Sequence, residues 1–505
     1  MQPAGPGGAH PGLTAGAAAP KVPRGSHLKQ IRLTAFDMNC VGHIQQGLWT
    51  HPRDRSTDYC SLDHWVGLAQ TLERGLFDGL FLADVLGVYD VYGGSPDSAI
   101  RHAVQIPVGD PLLLVPAMAH ATRHLGFGVT VNLSYEAPFA LARRMSTLDH
   151  LTWGRIGWNI VTGYLDSAAR AMGRDRQVAH DDRYDIADEY MQAVYKLWEG
   201  SWADDAVQAD RVTGVYADPA RVRAVQHAGR HIRMDGVHLC EPSPQRTPVL
   251  FQAGSSGRGK QFAASHAECV FLNGQAVPAV RAIVDDVRAG AAAAGRDASD
   301  VLAFVGATVI VAETDALAEA KLADYRRYAS GEGALVHASA SMGIDLDAYG
   351  MDEPIRVVET QAIQSNLEAI ARSAPVMTKR KLLDRMVLGS RQMPIVGSAA
   401  RVADALQGWM EGADVDGFIL SRTVTPECFL DVVDLLVPEL QRRGVYKEAY
   451  APGTLRRKLF GQDRLPGTHP AAAQRWGSAT PSSAAGEEAE ATVTWDGVDA
   501  NGPKT

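Results

Sequence analysis

A glycine-rich turn with two serines is the segment of the sequence best suited to bind a ligand. The turn Ala253-Gly-Ser-Ser-Gly-Arg-Gly259 follows an apolar strand predicted at residues 248–252 and opens a helix. Free backbone N–H groups at a helix start, together with the helix dipole, favour a phosphate group. A flexible strand-to-helix turn has the same composition, so the local pattern alone leaves both interpretations open.

A second group of hydrogen-bond donors stands at the start of a long predicted helix. His180, Arg183 and Tyr184 fall within its first five residues and could donate to the same phosphate. They could also lie at the surface, because Asp181 and Asp182 suit a helix N-terminus by charge. The pattern alone favours surface capping.

Three further side chains lie in the first two loops that follow strands. Asp84 ends a strand predicted at residues 78–83, where it would either face a ligand or cap a turn. Cys40 and His43 share the preceding loop, and a Cys/His pair could supply a nucleophile. No third partner is identifiable, so a small buried apolar cysteine is the favoured interpretation.

The sequence predicts no metal centre. His227 and His231 would share a helix face, but Gly229 lies between them and neither an H-E-x-x-H pattern nor a third ligand is present. The five cysteines form no C-x-x-C pair, so neither a disulfide framework nor a zinc site is indicated.

These candidates depend on a repeated strand–helix pattern that is clearest at residues 125–164. Apolar runs at 125–132 and 156–162 flank a helical segment at 137–151. Two continuous apolar strands joined by a helix indicate a parallel sheet buried on both faces. Polar side chains fall at the C-terminal ends of the two strands, where ligands bind in parallel α/β folds; they are Thr130, Asn132, Asn159 and Thr162.

The whole chain contains eight such strands, each followed by a helix. They are predicted at residues 31–36, 78–83, 125–132, 156–162, 248–252, 269–272, 301–311 and 416–420. The count favours an α/β fold of the TIM-like (β/α)8 barrel type with insertions. A doubly wound sheet is the alternative, but no strand is followed by G-x-G-x-x-G, so a bound nicotinamide is not indicated.

The predicted barrel spans residues 29–465 and carries two insertions. The first, at about residues 201–246, is expected to contain a small hairpin about residues 232–239. The second, at about 313–395, is predicted to be mostly helical, with a helix at 356–373 and a Gly/Ser-rich loop at 331–343 that carries His337. Residues 1–28 and 466–505 are rich in Ala, Gly, Pro and Ser and are expected to be disordered.

Charge and composition exclude several classes of partner. The net charge of −9 argues against a nucleic-acid or anionic-membrane surface. No apolar run approaches the roughly 18 residues of a spanning helix. With 46% apolar and 21% charged residues, the composition is ordinary for a soluble globular enzyme, and the five scattered cysteines favour the cytoplasm.

Several long segments together resemble the bacterial-luciferase-like flavin monooxygenases. They are AFDMNCVGH (35–43), LADVLGVYDVY (82–92), ARRMSTLDHLTWGRIGWNIVT (142–162), HDDRYDIADEY (180–190), LCEPSPQRTPVLFQAGSSGRG (239–259) and DGFILS (416–421). The resemblance covers about residues 29–465. It is to the branch that contains the monooxygenases of nitrilotriacetate (component A), dibenzothiophene sulfone, long-chain alkanes and dimethyl sulfide.

The resemblance implies a barrel of the bacterial luciferase type and a two-component enzyme. Reduced FMN (FMNH2) would come from a separate NAD(P)H:flavin reductase and react with O2 to a C4a-peroxyflavin that oxygenates the substrate. By motif position, the residues that would bind FMN are Asp84, Thr130, Asn132, Gly163, Tyr164, His180, Tyr184, Ser255 and Ser256. The implied catalytic residues are Cys40, His43, Tyr89 and His337. A homodimer or homotetramer is expected on the same ground.

The substrate remains open at this level. Residues 358–369, VETQAIQSNLEA, resemble dimethyl sulfide monooxygenase, and few basic residues surround the segment 331–343, which weighs against a polyanion. A small apolar or organosulfur compound is therefore expected first, with long-chain alkanes and aminopolycarboxylates as alternatives. A deazaflavin-dependent hydride transfer on the same barrel, or flavin binding without catalysis, also fits the pattern.

Overall fold

Eight parallel strands close into a barrel, as the strand pattern predicts. The structure is a computed structural model, and it describes residues 29–254, 256–274, 276–356, 377–386, 388 and 394–477. In chain order the barrel strands are β1 (Arg32–Met38), β2 (Gly79–Ala83), β3 (Gly126–Asn132), β4 (Ile156–Val161), β9 (Val249–Gln252), β10 (Cys269–Leu272), β11 (Leu302–Ala307) and β14 (Gly417–Ser421). Around the barrel each strand pairs with its neighbours in the chain, and β1 pairs with β14. The (β/α)8 prediction is confirmed.

Helices surround the barrel and supply the outer layer of the core. They are α1 (Leu62–Arg74), α2 (Asp97–Arg101), α3 (Val115–Ala121), α4 (Pro138–Leu151), α5 (Asp166–Ala171), α6 (His180–Tyr195), α7 (Gly257–His266), α8 (Val277–Ala293), α9 (Asp315–Arg326), α10 (Gly331–Met342), α11 (Lys379–Arg385), α12 (Ala399–Ala413), α13 (Glu427–Asp431), α14 (Val437–Arg442) and α15 (Leu455–Phe460). Their apolar faces bury side chains such as Trp65 of α1 and Tyr190 of α6 in the main apolar core. Burial of one large side chain contributes about 1.5–3 kcal/mol.

The barrel is closed at the N-terminal end of its strands. Phenylalanines of the strands fill the interior, and Leu455 and Leu459 of α15 pack on this layer. Arg456, between those two leucines, is fully buried and donates to both carboxylate oxygens of Glu268, at 2.7 and 2.9 Å. A site for a small molecule must therefore lie at the opposite, C-terminal end of the strands.

The seventh predicted strand, residues 301–311, is divided in the structure. Only β11 belongs to the barrel, and β12 (Val309–Ala312) leaves it to pair in parallel with β13 (Ile395–Ser398). Buried Thr308 lies between the two strands. The prediction of one strand was wrong because both halves are apolar and buried, so the sequence shows no boundary between them.

Two predictions within the insertions also need correction. Residues 331–343 are predicted as a Gly/Ser-rich loop but form α10, which Ser330 caps by accepting from the N–H of Gly333 at 3.0 Å. The glycines and serines misled the prediction, since the helix is capped by Ser330 and Gly343 and buries its Ala, Leu, Val and Met side chains. The hairpin predicted about residues 232–239 is formed by β7 (Val225–Ala228) and β8 (Arg233–Gly236), and a further hairpin precedes it, β5 (Val207–Asp210) with β6 (Val215–Ala217).

The C-terminal segment packs on the barrel beyond the predicted boundary at residue 465. A short helical turn, Pro470–Gln474, buries Ala471, and the preceding His469 is also buried. Residues 1–28, 478–505 and 357–376, which hold most of the helix predicted at 356–373, lie outside the described residues. In the described part of the chain no helix is long and apolar enough to cross a membrane.

Candidate active site

The start of α7 forms a compact polar cradle with the start of α6. Ser256 caps α7 by accepting from the N–H of Gly259 at 3.1 Å, and its hydroxyl lies 3.5 Å from Nε2 of His180. A Cβ placed on Gly254 or on Gly259 would lie 2.9 Å from the hydroxyl oxygen of Tyr184. The structure thus brings His180, Tyr184 and Ser256 together, as the resemblance implies, whereas Ser255 lies outside the described residues.

The cradle can hold an anion because hydroxyl donors meet the N-terminus of α7 where Gly254 and Gly259 leave space. Burial raises the pKa of the Tyr184 phenol, so this side chain remains a neutral hydrogen-bond donor at ordinary pH. The nearby guanidinium of Arg258 is already bound by Asp185 and Asp188, at 2.8 and 2.5 Å. Tyr184 is therefore a donor that a phosphate could use.

The ends of β3 and β4 supply the next group of predicted residues. Asn159 donates from Nδ2 to Oγ1 of Thr130 at 3.0 Å, and its Oδ1 is buried without a hydrogen-bond partner among the described residues. Gly163 has φ +71°, and a Cβ there would lie 2.5 Å from Nδ2 of Asn132. The polar strand ends therefore meet at one side of the barrel mouth, as the strand pattern predicts.

Tyr89 lies at the centre of a second group formed by three different loops and a helix. Its hydroxyl is 2.6 Å from Oε1 of Gln105 and 2.8 Å from the hydroxyl of Tyr164. The imidazole of His337, on α10, stacks on the Tyr89 ring with centroids 5.6 Å apart and planes at 12°. Gln105 also reaches the loop of His43, since its Nε2 faces the His43 carbonyl oxygen at 3.5 Å.

Burial keeps the His43 side chain neutral. The ring packs edge-on against Phe36 with centroids 4.6 Å apart, and Nδ1 has no hydrogen-bond partner within the described residues. Its pKa lies well below the usual histidine value because of burial, with further lowering by Arg422 and by His337. Neutral imidazole can donate one hydrogen bond and accept another, but it carries no acidic proton to release near pH 7.

Cys40 is buried in the same loop and is not an activated nucleophile. Its Sγ donates to the carbonyl oxygen of Gly42 at 3.1 Å. Burial raises the thiol pKa to about 12, which outweighs the lowering by Arg422. A thiol of this kind stays protonated at ordinary pH, so the geometry supports a packing and hydrogen-bonding role.

Asp84 lies at the mouth beside the end of β2. Burial and, to a smaller extent, the carboxylate of Asp110 raise its pKa to about 7. An aspartate with this pKa is partly protonated near neutral pH and can both donate and accept a hydrogen bond. A side chain that can both donate and accept is able to bind a polar ring that carries both N–H and C=O groups.

Two residues that the structure places at this site were not predicted. Gln105 links Tyr89 to the loop of His43 but lies in an irregular loop with no sequence signal of its own. Arg422 directly follows β14, forms an ion pair with buried Asp37 at 3.0 Å and donates to the Cys40 carbonyl oxygen at 3.0 Å. The rule that polar residues collect at strand ends could have identified Arg422.

Comparison with known proteins agrees with this architecture. A family model described as luciferase-like monooxygenase matches residues 38–416. The chain is 48% identical over 451 residues to dimethyl-sulfide monooxygenase of Hyphomicrobium sulfonivorans, covering 88% of this chain and 94% of that protein. It is also 48% identical over 449 residues to long-chain alkane monooxygenase of Geobacillus thermodenitrificans, covering 88% and 98%.

Solved structures give the same picture. The crystal structure of long-chain alkane monooxygenase superposes with a TM-score of 0.82 at 47% identity and covers 89% of this chain and all of that one. A riboflavin lyase crystallised with modified FMN and riboflavin superposes with a TM-score of 0.84 at 38% identity, covering 88% of this chain and all of that one. The chain therefore shares its fold with these two proteins over most of its length and over the whole of theirs.

Proposed function

Because the chain belongs to the luciferase-like monooxygenase family, we propose that it binds reduced FMN at the barrel mouth and oxygenates a small apolar organosulfur compound. The enzyme class, a flavin-dependent monooxygenase, follows from the family and from the two relatives at 48% identity. The proposal concerns the identity of the flavin, the substrate and the protein that supplies reduced flavin.

The described residues fit a flavin mononucleotide. The two glycines that face the Tyr184 hydroxyl leave room for a phosphate, and Ser256 and His180 lie beside that space. The unpartnered Oδ1 of buried Asn159 suits an N–H donor of a polar ring. Tyr184, Ser256 and His180 would thus hold the phosphate, with Thr130, Asn132, Asn159, Gly163 and Asp84 toward the ring.

Reduced FMN, when bound, supplies the electrons that activate O2. The protein's own side chains orient the reactants and keep water out. Neutral His43 and the imidazole of His337, which stacks on the Tyr89 ring, present hydrogen-bonding groups at this site, where a hydrogen bond shielded from water is stronger than in water. None of these groups acts as a nucleophile in the proposed reaction, and Cys40 remains a protonated thiol.

The single observation that carries the substrate class is an apolar cluster that closes around Tyr89. Its members come from the loop after β2, from the loop after β4 and from α10 of the insertion; they include Leu86, Val88, Leu165, Val336 and Ala340. A surface of this kind favours a small uncharged molecule and penalises a polyanion that would lose its hydration. We therefore propose a dialkyl sulfide such as dimethyl sulfide.

The supply of reduced flavin is assigned to a separate NAD(P)H:flavin reductase. The sequence contains no strand followed by G-x-G-x-x-G, so nothing in it points to a nicotinamide site of its own. A homodimer or homotetramer stays an expectation.

A rapid-mixing experiment tests the proposal. Protein and FMNH2 are mixed without oxygen, O2 is then added with or without dimethyl sulfide, and oxidised FMN is followed by absorbance. We expect protein-bound FMN to reoxidise more slowly than free FMN, with sulfide consumed in proportion to O2. Reoxidation at the rate of free flavin would contradict flavin binding at this site.

A second candidate substrate is a long-chain alkane. It is favoured by the equal identity of 48% to long-chain alkane monooxygenase. The same experiment with hexadecane separates the candidates, since consumption of the alkane and not of the sulfide would reverse the ranking. Nitrilotriacetate serves as the polyanionic control, and we expect no consumption of it.

A further inference from the structure

Gln105 connects the loop that carries His43 to the loop that carries Tyr89. Its side chain is 7% exposed, and its backbone N–H donates to the Gly42 carbonyl oxygen at 2.9 Å. The backbone has φ +53°, a left-handed conformation that is uncommon for a residue with a side chain. The backbone of Gln105 is thus tied to the His43 loop, and its side chain is buried between the two loops.

The neighbours of Gln105 determine which end of its amide faces Tyr89. The Gln105 Nε2 lies 3.5 Å from the His43 carbonyl oxygen, which can only accept a hydrogen bond. The reversed amide would place two oxygens against each other. The Gln105 Oε1 therefore faces the Tyr89 hydroxyl at 2.6 Å.

This orientation fixes the direction of two phenolic protons. A glutamine Oε1 can only accept, so the hydroxyl of Tyr89 donates its one proton to Gln105. The contact between the two tyrosine hydroxyls at 2.8 Å must then have Tyr164 as donor and Tyr89 as acceptor. Both protons point along one path, from Tyr164 to Tyr89 to Gln105.

We propose that Gln105 is a positioning residue that keeps the phenol protons of Tyr89 and Tyr164 engaged in this path, where they are not available to the reacting oxygen. The inference rests on the proposed function. Unproductive turnover converts FMNH2 and O2 into oxidised FMN and hydrogen peroxide, and a phenol that contacts the reacting oxygen can relay one of the two flavin protons to it. Gln105 therefore limits peroxide release and favours transfer of oxygen to the substrate.

The test compares Gln105→Leu, Gln105→Glu and Tyr89→Phe with the matched control Gln45→Leu. Gln45 is another buried glutamine of the His43 loop, and its Nε2 donates to Thr308 Oγ1 at 3.0 Å. Each holoenzyme is mixed with O2 and dimethyl sulfide, and peroxide released per FMNH2 oxidised is measured. Gln105→Leu is expected to raise the ratio of peroxide to oxidised sulfide about tenfold, the effect of one lost hydrogen bond.

The pH dependence of peroxide release by Gln105→Glu separates a positioning role from a purely structural one, because a packing defect alone would not change with pH. A protonated glutamate reproduces the amide, because its O–H donates to the His43 carbonyl oxygen and its other oxygen accepts from Tyr89, whereas an ionised glutamate has no proton to donate and places a charged oxygen against that carbonyl. Low peroxide release at low pH that rises as pH increases, measured from about pH 6 to about pH 9, supports the proposal. The opposite trend, or no recovery at any pH in this range, overturns it.

A measurement on the protein without flavin checks the contact itself. Urea unfolding of the single and double variants gives a coupling between positions 105 and 89, which should be absent between positions 45 and 89. Additive effects at 105 and 89 would also overturn the proposal. If wild-type protein fails to slow the reoxidation of FMN, the proposed function fails, and the coupling result still decides whether Gln105 orders Tyr89.

Discussion

Substitution of Gly259 by alanine should weaken FMN binding without unfolding the protein. The added Cβ would lie 2.9 Å from the Tyr184 hydroxyl, 2.9 Å from Ser256 Oγ and 3.3 Å from the carbonyl carbon of Gly254. Such distances force both hydroxyl groups to shift out of the proposed phosphate cradle. A hydrogen bond to a charged group contributes about 1.5–3 kcal/mol, so the loss of one raises the Kd for FMN about 10- to 100-fold.

The same helix offers a matched control two residues away, at Gly257. A Cβ on Gly257 meets nothing within 4 Å, so Gly257→Ala adds the same methyl group beside the cradle without a clash. Both variants gain helix propensity of up to about 1 kcal/mol. The change in helix stability is therefore similar in the two, and a difference in FMN affinity between them reports the clash.

Quenching of FMN fluorescence gives the Kd of each variant, and thermal unfolding confirms that each is folded. We expect wild-type affinity for Gly257→Ala and a weakened affinity for Gly259→Ala. Inorganic phosphate should compete with FMN in the wild-type protein and compete less well in Gly259→Ala. Equal FMN affinities for the two folded variants would refute the placement of the phosphate at the start of α7.

Three other predictions follow from buried groups. Arg456→Met leaves the carboxylate of Glu268 buried without its partner and should lower the free energy of unfolding by about 3–5 kcal/mol, measured in urea; a loss below about 1 kcal/mol would show that the pair is dispensable. Because the pKa of Asp84 is raised to about 7 from an ordinary value of 3.8, its ionisation should destabilise the folded protein progressively from about pH 4 to about pH 7, on the order of 2–4 kcal/mol; Asp84→Asn should abolish this pH-dependent loss, and identical pH profiles of the two proteins would contradict it. Iodoacetamide at pH 8 should alkylate exposed Cys60 and spare buried Cys40, with mass spectrometry to locate the label; rapid labelling of Cys40 would refute its assignment as a protonated, inaccessible thiol.

The sequence by itself determined the barrel and the edge that carries the site. Each strand is a short apolar run, each helix has its own period, and both signals are local, so the order of eight strand–helix units can be read without tertiary information. The same holds for the turn before α7 and for the polar ends at Thr130, Asn132 and Asn159. Parallel strands bring all such ends to one rim, and no contact between them needs to be known in advance.

Only the tertiary structure decided which side chains meet. Tyr89 contacts Gln105 and Tyr164 across three loops, and His337 reaches it from a helix of the insertion that the sequence pattern predicts as a loop. The division of the seventh strand at Thr308 was likewise decided by packing, since both halves are equally apolar. Contacts between loops depend on how distant elements pack, and neither residue type nor spacing along the chain encodes the distance between two such side chains.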